Sequence, residues 1–340
     1  MVHRRPRPGF SAAIAAAEST APPLPAHRRR RWRGGPHRPC MASIRSASLP
    51  AALRDHVVAW ALLAPALLLL GAFTLYPALA TLLQSVMSTP TAGRPAHFVG
   101  ATQFAAMLAD PVFRRVLRNN LLYAAGSIPA AVVLALAMAL LVNVRFPGRA
   151  LARMAFFTPT VLPLVAAANI WLFFYTPGYG LFDRGLHLFG LTGRNWLGDP
   201  TTALWAVTLV AVWKQAGFFM IFYLAALQNI PPHLVEAARI EGASAWQTFR
   251  RVVLPLLGPT TLFVLVNAVI GAFSLVDSLF VLTQGGPDNA SNLLLYYIYQ
   301  NAFQYWDTGY AAALTVVLVA ILALASLLQF VVLGRRTHYR

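Results

Sequence analysis

Lys214 is the only lysine in this 340-residue chain, and it lies inside an apolar run between Trp213 and Gln215. A nucleotide-hydrolysing P-loop ends in Gly-Lys-Ser or Gly-Lys-Thr, because its lysine must reach the phosphates from a glycine-rich turn. Lys214 has neither neighbour, so that site is excluded. The ten acidic residues form no spaced pair with His in an apolar run, and there is no HExxH, which argues against hydrolytic zinc chemistry. The single cysteine, Cys40, rules out an intrachain disulfide and a cysteine-rich metal site. What remains is non-covalent chemistry. A charge at a bilayer centre costs about 2.5–3.5 kcal/mol on insertion scales, so Lys214 is expected to face protein or water. Asn267, Gly271, Ser274 and Ser278 recur at helical spacing, with Asn169 and Gly217 on neighbouring runs. Such groups could line a path for a hydrated, hydroxyl-rich solute, which needs donors and acceptors to replace lost water. Small residues also favour tight helix packing, and a lone lysine can serve a structural pair, so both readings stand.

The elements that would carry these residues are membrane spans. The chain is 58% hydrophobic and 11% charged, with a mean hydropathy of +0.60, against roughly 25% charged for a soluble domain. Crossing a bilayer takes about 20 helical residues. Six apolar runs suffice: Val57–Ala80, Leu121–Val144, Met154–Tyr175, Thr201–Leu227, Leu256–Leu282 and Ala311–Leu333. Uninterrupted runs of this length exclude a β-barrel. The expected fold is an all-α integral membrane protein with six transmembrane helices. The net charge of +17 suggests nucleic acid, but 11 of the 27 basic residues precede Val57 with little aromatic interleaving, so nucleic acid is not expected as a partner. With the N-terminus inside, 20 basic residues face the cytoplasm and six face outward, which predicts cytoplasmic termini. Arg114, Arg115 and Arg118 run against that rule. Trp171, Phe173, Phe174 and Tyr175 end the third run, where an interfacial aromatic belt is expected.

Residues 1–56 read as a disordered basic tail, 57–333 as the six-helix domain and 334–340 as a cytoplasmic tail. Met41 resembles an ordinary start, so residues 1–40 are expected to be dispensable. The polar loop 229–255 is different. Pro231 and Pro232 suit a first helical turn, Gly242 suits a left-handed stop, and Ser244 with Gln247 fits a capping box. Alternatively, the second helix could lie on lipid headgroups.

Glu236, Ala237, Ala238, Gly242, Val252, Leu254 and Pro255 resemble the EAA motif of binding-protein-dependent ABC importer permeases, with Val252 where Ile is usual. Val281–Pro287, which reads VLTQGGP, is similar to the corresponding turn of the carbohydrate-importing members. FVGATQF and WKQAGFFMIFYLAALQNIP also look like that group. The resemblance covers about residues 55–333 and implies a type I importer-like permease fold in a bacterial inner membrane. It implies that the loop docks into a cleft on a separate ATPase subunit, one of two that bind ATP and Mg, so this chain needs no cofactor and is no enzyme. It further implies a second, distinct permease, surrounding lipid and an extracytoplasmic solute-binding protein delivering a sugar. That protein would touch Gly285, Gly286 and Pro287. A permease for a glycerol phosphodiester or other polyol is the alternative, with Lys214 meeting the phosphate. An ion-coupled carrier would need intramembrane carboxylates that are scarce here.

Overall fold

The structure is a computed structural model, and it describes residues 49–334 apart from residue 92. The expectations for residues 1–48 and for the last six residues lie outside the described residues. Cα proximity divides the chain into units 1–63 and 64–340. Among the described residues the first unit contributes the start of one helix, and the second contains the remaining elements.

That helix, α1 (Leu49–Leu70), passes through a π-helical turn at Gly71–Leu75 into α2 (Tyr76–Gln84). Proline has no amide hydrogen, and its ring crowds the carbonyl four residues back. The chain meets Pro77 by widening the turn ahead of it, so that the Tyr76 amide donates to Gly71 O, five residues back. The same device recurs at Phe249–Val253, where the Leu254 amide donates to Phe249 O just before Pro255. Trp60, Leu62, Leu68 and Phe73 along the first span are exposed, as suits a hydrocarbon solvent.

A short helix, α3 (Thr102–Ala109), leads to α4 (Pro111–Asn143), which Asp110 caps by accepting from the Val112 amide at 2.8 Å. Ala131, Ala135, Ala139 and Val142 form a buried small-residue edge on α4. This edge packs against α8 (Ala203–Gln228), the most buried span.

The third run, expected to be one span, is broken. α5 (Arg149–Val161) and α6 (Leu164–Tyr175) meet at a 102° bend over Leu162 and Pro163. A short helix, α7 (Leu181–Leu188), follows. The expected aromatic belt at the end of α6 is also corrected. Trp171 and Tyr175 are buried, packing on Phe182 and, for Trp171, on Trp213, while Phe173 alone of the four is openly exposed. An aromatic pair buries more apolar surface inside the bundle than at its rim.

After α8 come α9 (Pro232–Ile240), α10 (Ala245–Thr248) and, past the π turn, α11 (Leu254–Leu256). The rod 245–256 bends by 66° into α12 (Gly258–Phe273). The fifth run is therefore not one helix: α12 stops at Phe273, and α13 (Asp277–Leu282) begins afresh. α14 (Leu294–Tyr299), a π turn and α15 (Thr308–Gly334) complete the chain. Among the described residues four helices are long and apolar enough to cross a membrane, and up to six spans result if each bent pair is one.

Candidate functional site

The loop between α8 and α12 folds as a helical hairpin with both ends hydrogen-bonded. Gly242 adopts φ +82° after α9, with its amide donating to Arg239 O and the Ala243 amide donating to Ala238 O, each at 3.0 Å. This is a Schellman stop, which satisfies two carbonyls that a helix end leaves free. Ser244 then caps α10. Its Oγ accepts from the Gln247 amide at 3.3 Å, while Gln247 Oε1 accepts from the Ser244 amide at 2.8 Å. Ala238 and Thr248 are buried against the bundle, whereas Glu236 and Ala237 are exposed. Ile240 is 88% exposed and Trp246 66% exposed, so the hairpin presents apolar side chains outward. Pro255 lies within the second helix, because the π turn removes the clash; the bend follows at Leu257. Leu254 and Pro255 are both exposed there.

A cavity of about 300 Å³ lies between the broken third span, α8 and the α12–α13 break. Its polar lining is Thr160, Lys214, Gln215, Ser274 and Ser278, with Gly271 beside them. Three of the four residues read as a stripe thus meet here, though not on one helical face. Ser274 caps α12 and Ser278 belongs to α13, so the chain break rather than helical periodicity brings them together. Gln215 Oε1 and Ser278 Oγ are buried without a hydrogen-bond partner, and Ser278 is only 2% exposed. Unpaired buried acceptors are costly unless a ligand or water meets them.

Asn267, Asn169 and Gly217 are not part of this lining. Asn267 donates to Phe263 O at 2.8 Å and Asn169 to Val165 O at 2.9 Å, each one turn back on its own helix. Gly217 is a packing position, since a Cβ there would stand 2.2 Å from Phe156 O on α5. Lys214 borders the cavity, but its ammonium donates to Pro159 O at 3.0 Å, to Thr160 O at 3.5 Å and to Leu162 O.

At the opposite end of the bundle from the hairpin, the turn 285–292 is clamped to α4. Arg115 donates to Asp288 Oδ2 at 2.8 Å and to Asp288 O at 2.6 Å, which explains one arginine of the cluster that broke the charge rule. Asn119 donates to Asn289 O and Asn292 O, and Asn120 accepts from the Leu294 amide. Gly285 is buried at φ +81° with Asn292 3.0 Å from where its Cβ would be, while Gly286 and Pro287 border a cavity of about 430 Å³ beside Tyr175 and Asn195.

Sequence reasoning missed two polar clasps nearby. Asp110 Oδ2 accepts from Tyr297 Oη at 2.7 Å and Tyr310 Oη at 2.8 Å. Partial burial raises the carboxyl's pKa, but those hydroxyls and the Val112 and Phe113 amides outweigh it, and the net direction is down. Asp183, buried, accepts from the Gly178 amide at 2.8 Å and the Arg194 amide at 3.3 Å. The Gly178 bond leads its pKa downward against desolvation. The tyrosines of Asp110, 187 and 200 residues away, leave no spacing signal.

Residues 96–338 match the family model described as the binding-protein-dependent transport system inner membrane component. The chain is 35% identical over 270 residues to the sulfoquinovosyl glycerol transport system permease protein of Agrobacterium fabrum, covering 79% of this chain and 88% of that one. It is 34% identical to the lactose transport system permease protein of Rhizobium radiobacter, covering 80% and 92%. It is also 32% identical to an sn-glycerol-3-phosphate transport system permease protein of Agrobacterium fabrum, covering 84% and 97%. Among solved structures, a bacterial ABC transporter involved in alginate import shares the fold, with a TM-score of 0.74 at 23% identity over 85% of this chain and 99% of that chain. The family match, these relatives and the apolar spans agree: the chain belongs to the inner-membrane permease components of binding-protein-dependent ABC importers, and it is a multi-pass membrane protein.

Proposed function

We propose that this chain forms one half of the pathway for a sugar or oligosaccharide, paired with a second, related permease and driven by two ATPase subunits that hold ATP and Mg. Both termini lie in the cytoplasm, and the hairpin 232–256 docks into the ATPases there. A solute-binding protein delivers the sugar at the outer mouth, beside the clamped turn 285–287. The observation that carries this reading is the continuity from hairpin to cavity. The exposed rod 245–256 runs through one bend into α12, whose far end supplies Gly271 and Ser274 to the lining. Motion of the hairpin therefore reorients the cavity wall without a further relay.

The lining favours an uncharged, hydroxyl-bearing solute. Its hydroxyls would donate to Gln215 Oε1 and pair with Ser278 Oγ, relieving two orphaned groups. The relatives include permeases named for lactose and for glycerol phosphate. The polyol phosphate reading needs a free cation, and the Lys214 ammonium is already spent on three carbonyls. The test is the assembled transporter in liposomes, with its binding protein loaded by candidate oligosaccharides. ATP-dependent uptake of a neutral sugar is expected. Uptake driven by an ion gradient without ATP would overturn the reading, and selective uptake of a phosphodiester would replace the solute class.

A further inference from the structure

The third span breaks where its own sequence withdraws a donor. In a continuous helix the amide of residue 163 would bond to the carbonyl of residue 159, but Pro163 has no amide hydrogen. Pro159 O accepts from Lys214 Nζ instead, and the same ammonium reaches Thr160 O and Leu162 O across the break. An ammonium has three donors and no acceptor, so these carbonyls use its full capacity. Its charge also meets the negative end of the α5 dipole.

Two further features fix α5 to α8 along this seam. Gly217, less than one turn beyond Lys214, lets the backbones approach until a Cβ would stand 2.2 Å from Phe156 O. Thr160 Oγ1 donates to Lys214 O at 3.4 Å. α6 leaves at 102° and packs against α13, the helix that carries Ser278. The bend thus sets where the α6–α13 wall stands relative to α8, and with it the width of the cavity.

We infer that Lys214 is a positioning residue that supplies the hydrogen Pro163 withholds and so holds the bend of the broken span. Its charge serves the backbone, and it does not select the solute. The inference rests on the permease reading only for its transport readout, because the bend can be measured with no solute present.

The lysine should therefore be conditional on the proline. Lys214→Met keeps the length of the side chain and removes every donor; Pro163→Ala returns an amide to Pro159 O. In the assembled transporter in liposomes, Lys214→Met should lower solute-stimulated ATP hydrolysis about tenfold or more, the scale of a lost charge-assisted hydrogen bond. In the Pro163→Ala background the same substitution should cost less than about threefold, because Pro159 O, the carbonyl that Pro163 leaves free, is already paired. Lys214→Arg, which keeps donors, should retain most of the activity. A second readout is the distance between spin labels on exposed Leu151 of α5 and Phe173 of α6, with Cys40 replaced. Lys214→Met should broaden that distance, and in the Pro163→Ala background the same substitution should leave it narrow, because Pro159 O keeps a partner there. Equal losses in both backgrounds, or an unchanged distance in Lys214→Met, would overturn the inference. If Lys214→Met does not assemble, Lys214→Gln, with two donors, is put through the same comparison. A transporter whose labels respond as expected but whose unmodified form moves no sugar would instead count against the proposed solute.

Discussion

At Gly242 the obstacle to any side chain is backbone conformation, since a Cβ there would meet nothing within 4 Å but would have to adopt φ +82°. Gly242→Ala should cost about 1 kcal/mol locally, and Gly242→Val somewhat more, because a β-branched residue tolerates the left-handed region poorly. The protein should still insert. Copurification of the ATPase and uptake should both fall, and normal values for both would remove the hairpin from the coupling path. Asp110 is a different case, in which one carboxylate oxygen serves two tyrosines. Asp110→Asn replaces charge-assisted bonds by weaker ones and should cost about 1.5–3 kcal/mol. Because its pKa is lowered in the folded chain, the stabilisation is present above the ordinary value of 3.8 and is lost as pH falls through the lower folded value. Thermal unfolding followed from pH 7 to pH 3 should show a drop confined to the acid end, and smaller in the asparagine variant. The hairpin residues were legible because each carries a local rule: glycine for a left-handed stop, serine with glutamine for a cap. Asp110 was not, since its partners come from two distant helices.

At the scale of elements, the breaks decide the site. The fifth run reads as one helix from composition, yet α12 ends at Phe273, and residues 274–276 leave the helical conformation before α13. Cysteines at Gly271 and Ser274 should therefore react with a small water-soluble thiol reagent, with reactivity that changes when the ATPase is trapped with nucleotide. Phe273, 5% exposed, should stay inert, and a cysteine at Asn267 should report little, since that position does not line the cavity. Uniform inertness at 271 and 274 in both nucleotide states would move the solute path elsewhere. The prolines announced some of this irregularity. Pro77 and Pro255 are absorbed by π turns within continuing helices, while Pro163 accompanies a 102° break. The residue type is the same; the availability of a substitute donor and of packing on either side differs.

At the scale of the molecule, the distribution of arginine predicts cytoplasmic termini, and the bilayer takes the place of water around the apolar spans. A fluorescent protein fused after Arg340 should fluoresce, and alkaline phosphatase fused there should be inactive, if the C-terminus is cytoplasmic; the reverse pattern would invert the topology. The exposed Arg115–Asp288 pair is worth little by itself, about 0–1 kcal/mol, so Arg115→Ala should loosen the turn 285–292 without unfolding the bundle. Hydrogen exchange confined to residues 285–292 is the expected signature.

The sequence by itself determined the class. Long apolar runs, a biased distribution of arginine and a spaced motif in one polar loop depend on composition and local geometry, which need no knowledge of the fold. Only the tertiary structure decided what Lys214 does and which small polar residues face the cavity. They depend on carbonyls freed by a break in another helix and on the interruption between α12 and α13, and neither is a property of any one stretch of sequence.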